Sequence, residues 1–461
     1  MTTVLAIDAG TTATKAVVIG GSGKVLATES VRIKTRALPG GGMEQDPDEI
    51  WRSILTAAAP AIAQAGRGID AVALATQGES VLAWDPRSGE ALSAVVTWQD
   101  RRASGICGRL AEHGEHLAAA TGLRLDPYFT APKLAWLREN TTRAGVVTTI
   151  DAWLTYRLTG RTVTDAATAS RSLLVDLVSG TWNPELLAVF GLEGEEMPQI
   201  AANDEVIGET TVFGFPAPLA AVILDQPAAL LAQRCLKPGQ AKATYGTGAF
   251  FLANIGSIPA AGRGALSCST GWQVGEHRIF ALDGQVYAAA SALTMLARIG
   301  AIARVEEIDV ACKTAGPGST VFVPGFDTAR GGVFEGFGLD ASRAQLTAAA
   351  VYGIAAAVAD LHDEADLDDG ALRVDGGLTN VKTLLQAQAD LLQIEIAPYR
   401  TAHATAQGAA ALARLALDRA ASLEAEVPDF ASGPPVLPRW SLDQAADYRE
   451  RWRHAAKTTP G

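Results

Sequence analysis

The same strand–turn–strand pattern opens each half of the 461-residue chain. In the first half, the apolar segment Val4–Asp8 leads into Ala-Gly-Thr-Thr-Ala-Thr-Lys, and in the second half Gln240–Thr244 leads into Tyr-Gly-Thr-Gly. Glycine lets a backbone approach a phosphate closely, and threonine hydroxyls and turn N–H groups can donate to its oxygens. Each turn alone is compatible with an ordinary hairpin. Two of them, one at the head of each half, favour a pair of phosphate-binding loops.

The rest of the chain indicates a mixed α/β architecture. Apolar runs bounded by turn residues predict strands at Val4–Asp8, Ala16–Ile19, Lys24–Glu29, Ala71–Ala75, Ala94–Thr97, Gln240–Thr244, Phe250–Asn254, Gly271–Val274, Arg278–Leu282 and Leu372–Val374. Helical spacing of apolar residues predicts helices at Pro47–Ala65, Asp151–Leu158 and Ala341–Leu361, with Asp46 and Asp340 as the N-caps of the first and last. Lys237-Pro238-Gly239 is the best boundary, so we expect one domain at 1–236 and a second at 237–461.

Composition narrows the possible partners and the compartment. Lys+Arg 38 against Asp+Glu 50 gives a net charge of −12, which disfavours a nucleic-acid partner. Four cysteines are scattered without a Cys-x-x-Cys pair, as expected of reduced thiols in a cytoplasmic protein. No segment approaches the length of a membrane span, so we expect neither export nor membrane insertion. The oligomeric state stays open, with a homodimer as one option.

A single carboxylate, Asp225, ends the apolar run that starts at Ala220. Gln226, Pro227 and an Ala/Leu-rich segment of helical character follow it. A carboxylate at the carboxyl end of a strand lies where α/β folds place their chemistry. Between two phosphate-loop halves, such a base indicates a kinase, whereas on its own it is more typical of a helix cap.

Three polar and aromatic clusters suit a ligand with many hydroxyl groups: Gln77-Gly78-Glu79-Ser80, Trp98-Gln99-Asp100 and Pro127-Tyr128-Phe129. Carboxylates and amides can bridge neighbouring hydroxyls while aromatic rings cover C–H faces. Each residue also has a simpler interpretation: Glu79 on a solvated loop, Asp100 as a helix N-cap, and Tyr128 in the core. A further Gly-rich strand end, Val374–Asn380, can admit a base or a ribose phosphate or can be a tight strand-to-helix connection. The stretch from His113 to His116 resembles a metal pair only superficially and is predicted to be a solvated loop.

Taken in order, these motifs resemble the FGGY family of carbohydrate kinases, on the actin-like ATPase (ribonuclease H-like) fold, and they are most similar to the glycerol kinase branch. The resemblance covers roughly Val4 to Leu417. The motifs that support it are Leu82–Glu90 with Trp98–Arg102, Tyr128-Phe129, Asp225-Gln226, Tyr245–Phe250 and Asp375-Gly376-Gly377. It implies an ATP- and Mg²⁺-dependent enzyme that phosphorylates a terminal hydroxyl of a small polyol or sugar.

By position, the resemblance also implies the role of each site residue. The metal-proximal residue is Asp8, acting on Mg²⁺ through water; the nucleotide contacts are Thr11, Thr12, Lys15, Thr247, Gly248, Gly376, Gly377 and Asn380; the acceptor contacts are Gln77, Gly78, Glu79, Trp98, Tyr128, Asp225, Gln226 and Phe250; and the catalytic base is Asp225.

Two departures from the family pattern bear on specificity. Glycerol kinases have an arginine between the Gln and Glu of the acceptor motif, where this chain has Gly78. Losing that donor and its bulk favours an acceptor longer than glycerol, such as a tetritol or pentitol. The segment from Val323 to Gly332 also lacks the Ala-Pro-Tyr-Trp element of many relatives, which leaves its nucleotide contacts open.

Other functions remain compatible with the sequence. A ketopentose kinase of the xylulose or ribulose type is the nearest alternative within the family. A non-catalytic sugar sensor on the same fold would not need the full phosphoryl-transfer set, and an actin-like or chaperone-type ATPase would not need the acceptor cluster.

Overall fold

The computed structural model describes residues 2–325, 331–367, 370–399, 403–418, 420–429 and 433–458. The central part of the Val323–Gly332 departure, residues 326–330, lies outside the described residues. Its bearing on the nucleotide contacts therefore stays a prediction.

The strands follow in chain order. They are β1 (Val4–Ala9), β2 (Ala13–Ile19), β3 (Val25–Arg32), β4 (Arg36–Leu38), β5 (Gly42–Gln45), β6 (Ala71–Thr76), β7 (Val81–Trp84), β8 (Val95–Val96), β9 (Val146–Thr149), β10 (Val163–Asp165), β11 (Gln199–Ala201), β12 (Gly208–Thr210), β13 (Ala217–Leu224), β14 (Ala241–Tyr245), β15 (Ala249–Gly256), β16 (Ser267–Val274), β17 (His277–Val286), β18 (Val321–Val323), β19 (Val333–Glu335), β20 (Leu372–Asp375) and β21 (Ile396–Pro398).

The helices are α1 (Pro47–Ala65), α2 (Ser104–Arg109), α3 (Gly114–Thr121), α4 (Thr130–Asn140), α5 (Ile150–Thr159), α6 (Ala166–Ser170), α7 (Pro184–Val189), α8 (Asp225–Ala232), α9 (Ala290–Arg298), α10 (Ile308–Ala311), α11 (Arg343–Ala365), α12 (Lys382–Leu392), α13 (Ala404–Leu417), α14 (Leu423–Glu426) and α15 (Leu442–Thr458). Helix α1 matches its predicted bounds, and the Asp46 carboxylate accepts a hydrogen bond from the Asp48 N–H, as an N-cap does. The prediction of Asp340 as the cap of α11 is wrong, because Ser342 accepts from the Gln345 N–H and the helix begins after it.

Five strands of each six-stranded sheet repeat one topology in the two halves, whereas the sixth strand lies beside β13 in the first sheet and beside β17 in the second. The first has the order β3-β2-β1-β6-β13-β12 and the second β16-β17-β15-β14-β20-β21. In each, a Gly/Thr hairpin joins the central strand to its antiparallel neighbour (β1 to β2, and β14 to β15). On the other side of the central strand, a parallel strand follows after a long crossover (β6 and β20). The repeated opening of the sequence therefore corresponds to a repeated sheet.

Helix α13 joins the two halves, although it lies near the end of the chain. It packs against β1, β6 and β13 of the first sheet and against α8. Its apolar face shares one buried cluster with residues from both halves, including Ile223 of β13 and Leu252 of β15. Helix α8, which begins at Asp225, is therefore packed against a helix from the second half of the chain.

Helix α11 is the one helix in the described ranges that is long and apolar enough to cross a membrane. The expectation that no segment approaches the length of a membrane span is therefore wrong. However, 72% of its most apolar window is buried inside the fold, as in the core helix of a globular protein.

Candidate active site

Parallel strands bring the predicted catalytic residues to one sheet edge. In register, Thr76 of β6 lies opposite Ala9 of β1 on one side and Leu224 of β13 on the other. Three features are therefore neighbours: Asp8, Asp225 and the motif that begins at Gln77. Each lies at or just after the carboxyl end of its strand. The sequence places Asp225 at the carboxyl end of a strand, and at this sheet edge it lies close to residues that are far away in the chain.

Asp225 is the first residue of α8, and its carboxylate Oδ1 accepts a hydrogen bond from the Gln226 N–H at 2.6 Å. Burial and, after it, the negative charges of Asp8 and Glu79 raise the pKa of this carboxyl from 3.8 to about 7, against the opposing effects of the Gln226 N–H and of Lys242. A carboxyl group poised near neutral pH suits a general base. The helix-cap interpretation is wrong, because Leu224 is the N-cap of α8 and Asp225 is its first helical residue.

A cavity of about 140 Å³ opens beside Asp225. All the predicted acceptor residues line it: Gln77, Gly78, Glu79, Trp98, Tyr128, Asp225, Gln226 and Phe250. The Trp98 ring meets Tyr128 and Phe250 edge-on, with centroids 5.9 and 6.0 Å apart. The aromatic and polar residues predicted to surround a polyhydroxylated ligand are thus brought together.

The wall of this cavity is fixed by its own hydrogen bonds. The Gln77 amide donates to Gln45 Oε1 at 2.8 Å and accepts from Thr11 Oγ1 at 3.1 Å. Trp98 Nε1 in turn donates to Thr11 Oγ1 at 2.9 Å. Thr11, predicted as a nucleotide contact, therefore lines this cavity together with the predicted acceptor residues, and it orients the indole ring.

The simpler interpretations of Glu79 and Asp100 are wrong. Glu79 is 4% exposed, in the left-handed backbone region at φ 51°, and it pairs with the guanidinium of Arg171. Asp100 does not cap a helix, because α2 begins only at Ser104. Its buried carboxylate accepts from the Met43 N–H at 2.7 Å and from the Arg102 guanidinium, which fixes the loop that carries Trp98. The prediction of a loop from His113 to His116 is wrong, because this stretch is helical. Among the described residues, no group of three or more His, Cys, Asp and Glu side chains is placed to hold a metal ion.

Sequence reasoning missed three polar residues of the cavity, namely Arg171, Ser269 and Asp283. Arg171 follows α6, and the other two lie on β16 and β17 of the second sheet. Arg171 and Ser269 stand neither in a Gly-rich turn nor at a predicted strand end, whereas Asp283 directly follows the predicted strand Arg278–Leu282, a signal that could have marked it. Only the packing of the two halves brings them to the acceptor motif.

A larger cleft of about 1650 Å³ holds much of the predicted nucleotide set. Asp8, Lys15, Gly376, Gly377 and Asn380 line it, together with Thr244, Asp309 and Tyr399. Gly376 has φ +95°, and a side chain there would overlap the Tyr245 backbone, so the turn after β20 needs glycine. Thr12 and Thr247 are exposed at the two hairpin turns, and neither they nor Gly248 line the cleft.

Lys242 links the two cavities from within the sheet. Its fully buried ammonium donates to Gln226 Oε1 at 2.6 Å and to Thr244 Oγ1 at 2.8 Å. Gln226 lines the acceptor cavity and Thr244 the cleft. Burial lowers the pKa of Lys242, and the nearby carboxylates Asp375 and Asp225 oppose this effect. The lysine therefore fixes the spacing of the two walls.

Asp8 fits the role of a magnesium-proximal residue. Its carboxylate faces the cleft, 3.6 Å from Lys15 Nζ, and burial raises its pKa. Nearby, Asp375 Oδ1 is buried without a hydrogen-bond partner in the described part of the chain. Mg²⁺ is usually held by one or two carboxylates, several waters and the phosphates of its nucleotide, so this sparse carboxylate set fits it.

The raised pKa of Asp225 predicts how its amide variant changes stability. Below pH 3.8 both states of the wild type are protonated; above it the unfolded chain ionises while the folded carboxyl stays protonated up to about pH 7. Wild-type stability is therefore lost as the pH rises through this window. Relative to the wild type, we expect Asp225→Asn to gain about 2–3 kcal/mol of stability as the pH rises from 5 to 8. Chemical unfolding of both proteins across this range checks it, and a difference that does not change with pH would contradict it.

Comparison with known proteins defines the class. The model of the N-terminal domain of the FGGY family of carbohydrate kinases matches residues 3–230, and that of the C-terminal domain matches residues 241–417. The chain belongs to the FGGY family of carbohydrate kinases, and the expected actin-like ATPase fold is confirmed.

Within the family the chain is glycerol-kinase-like. It is 36% identical to the glycerol kinase of Methylobacterium nodulans over 448 residues, which cover 90% of this chain and 89% of the relative. The structure of Plasmodium falciparum glycerol kinase with ADP superposes with a TM-score of 0.92 at 23% identity, over 100% of this chain and 98% of the other. Ligand-bound xylulose kinase from Lactobacillus acidophilus gives 0.88 at 22% identity, over 99% and 97%. These two structures show the common fold.

Proposed function

We propose that this enzyme transfers the γ-phosphoryl group of ATP to a terminal hydroxyl of a small, neutral polyol. The observation that supports this most strongly is the position of Asp225. It lines the small cavity, and its carboxyl interacts electrostatically with Asp8, which lines the large cleft. A base at the junction of an acceptor cavity and a nucleotide cleft suits in-line phosphoryl transfer.

In the proposed mechanism, Asp225 accepts the proton of the attacking hydroxyl. Gln226 and Glu79 orient the polyol, and Trp98 and Tyr128 cover its C–H faces. On the nucleotide side, Lys15 contributes positive charge, and the turn at Gly376 and Gly377 allows close approach of the nucleotide. Asp8 would hold Mg²⁺ through water, and the ion, when bound, would neutralise charge on the phosphoryl oxygens.

The charges around the cavity favour a neutral acceptor. Glu79, Asp225 and Asp283 contribute carboxylates, and Arg171 is the cation among the lining residues described. Asp225 is ionised when it acts as a base, so the cavity then has excess negative charge. An aldonate such as gluconate would add a further negative charge in a partly buried site and would be repelled.

Two kinds of acceptor are candidates, a longer polyol and glycerol. The glycine at position 78 removes the donor and the bulk of the family's arginine, which favours a tetritol or pentitol. However, the Leu224 side chain lies 2.7 Å from the position that a Cβ at residue 78 would occupy. This leucine fills the space that glycine would otherwise open, and it favours a short acceptor, with glycerol as the second candidate.

A kinetic panel tests the proposed function and its acceptor. ADP release would be measured with glycerol, erythritol, xylitol, D-xylulose and gluconate, and without acceptor. We expect a neutral polyol to exceed gluconate by at least about tenfold in kcat/KM. The highest kcat/KM for glycerol would exclude the longer acceptor. The highest value for D-xylulose would favour the ketopentose alternative, and no release with any compound would favour a sensor.

The cellular location and the domain division are also proposals. The free cysteines Cys107, Cys235, Cys268 and Cys312 support the cytoplasmic location that we propose. We also propose the division into domains 1–236 and 237–461, with α13 of the second domain docked on the first sheet.

A further inference from the structure

Arg171 is a buried arginine within the acceptor cavity, and the roles described above do not use it. It is 6% exposed, and its Nε donates to Glu79 Oε1. Its Nη1 donates to Asp283 Oδ1 at 2.6 Å and, more weakly, to Ser269 Oγ at 3.4 Å. One guanidinium therefore joins the acceptor motif of the first half to two strands of the second.

The remaining nitrogen of this guanidinium is available to a ligand. Nη2 makes no hydrogen bond to any residue in the described ranges, and it is not sealed from solvent. Because Arg171 is otherwise buried and lines the cavity, the open side of Nη2 is the cavity itself. A charged donor without a protein partner is a strong recognition element for a hydroxyl oxygen.

The position of this donor is fixed by the segment before it. Asp165 caps α6 by accepting from the N–H groups of Ala167 and Thr168. Ser170 Oγ accepts from the Thr270 N–H at 3.0 Å, across the two halves of the chain. Arg171 therefore emerges from a short helix that is tied at both ends, so little entropy is lost when its guanidinium binds a ligand.

Position 78 cannot supply the same donor in this chain. It is glycine, and Leu224 lies 2.7 Å from where its Cβ would be. We propose that Arg171 recognises a third hydroxyl of the acceptor, one that a diol lacks, besides the hydroxyl that Asp225 deprotonates and a second one. This inference rests on the proposed function, and it makes Arg171 a determinant of specificity for polyols over diols.

Binding measurements test this role without requiring turnover. Affinities of glycerol, erythritol, 1,2-propanediol and 1,3-propanediol would be measured by calorimetry with ADP present, for the wild type and for Arg171→Lys. Lysine keeps a positive charge for Glu79 and Asp283 but loses the planar fork and its free Nη2. We expect the wild type to prefer a triol or tetritol over the diols, and Arg171→Lys to reduce that preference about tenfold or more.

Arg278→Lys is the matched control. Arg278 also bridges the two halves, donating to the backbone carbonyls of Leu177 and Val178, but it does not line the cavity. It should keep the wild-type preference. If Arg171→Lys does not fold, Asp283→Asn takes its place in the experiment. The Asp283 variant weakens the hydrogen bond that anchors Nη1 of Arg171, so it should lower the preference for a triol or tetritol over the diols at least threefold.

The outcomes separate this inference from the proposed function. An unchanged preference in the folded Arg171 variant, or in Asp283→Asn when that variant replaces it, overturns the inference even if the enzyme is an active kinase. A preference that falls in the test variant but not in Arg278→Lys supports it, even if no compound is phosphorylated and the proposed function fails. No wild-type binding of any of the compounds overturns both.

Discussion

Replacement of Asp225 by asparagine should lower turnover by about 10²–10⁴-fold while nucleotide binding survives. Asparagine keeps the shape of the side chain and can still accept from the Gln226 N–H, but it cannot take the proton of the attacking hydroxyl. The nucleotide cleft is lined by other residues, so ADP affinity should stay within about threefold of the wild type, on the scale of a surface change. Single-turnover kinetics and calorimetry with ADP measure the two effects separately.

The control for this experiment is Asp46→Asn. Asp46 caps α1, away from both cavities, and asparagine caps a helix about as well as aspartate. The control should keep wild-type turnover. Near-normal turnover in Asp225→Asn, or a loss of ADP binding equal to its loss of turnover, would refute the assignment of Asp225 as the base.

The second large effect is expected at Gly408, where α13 passes closest to α8. A methyl group at position 408 would overlap the backbone carbonyl of Ala228, so one of the two helices must move. We expect Gly408→Ala to lower the free energy of unfolding by about 3 kcal/mol. Turnover should also fall, because α8 has Asp225 in its first turn.

Denaturant unfolding of Gly408→Ala and of Gly105→Ala checks this expectation. Gly105 lies in α2, and a Cβ at that position would meet nothing within 4 Å. The control should therefore be neutral or slightly stabilising, as alanine is in a helix. Equal stability of the two variants would contradict the close packing of α13 on α8, and with it the way the second half supports the base.

Local patterns allowed much of the fold and the acceptor site to be predicted. The spacing of apolar residues gave the bounds of α1, and the end of an apolar strand marked Asp225. The Gly-rich turns identified where each sheet opens. These features depend on short stretches of chain, in which residue type and backbone conformation are directly coupled.

Features that depend on long-range packing could not be predicted in this way. Glu79 looks like a loop residue until Arg171, distant in sequence, is found beside it. Thr11 belongs to a phosphate-like turn by sequence, yet its hydroxyl orients Trp98. The closure of the space at Gly78 by Leu224 follows only from the packing of β13 beside β6.

Detection of the phosphorylated product tests the central claim most directly. The wild-type enzyme would be incubated with ATP, Mg²⁺ and each polyol of the panel, and ³¹P NMR would follow all phosphorus species. We predict one equivalent of a polyol phosphomonoester for each ADP formed, and none with Asp225→Asn on the same time scale. ADP accompanied only by inorganic phosphate, with no phosphomonoester, would show an ATPase and contradict the account.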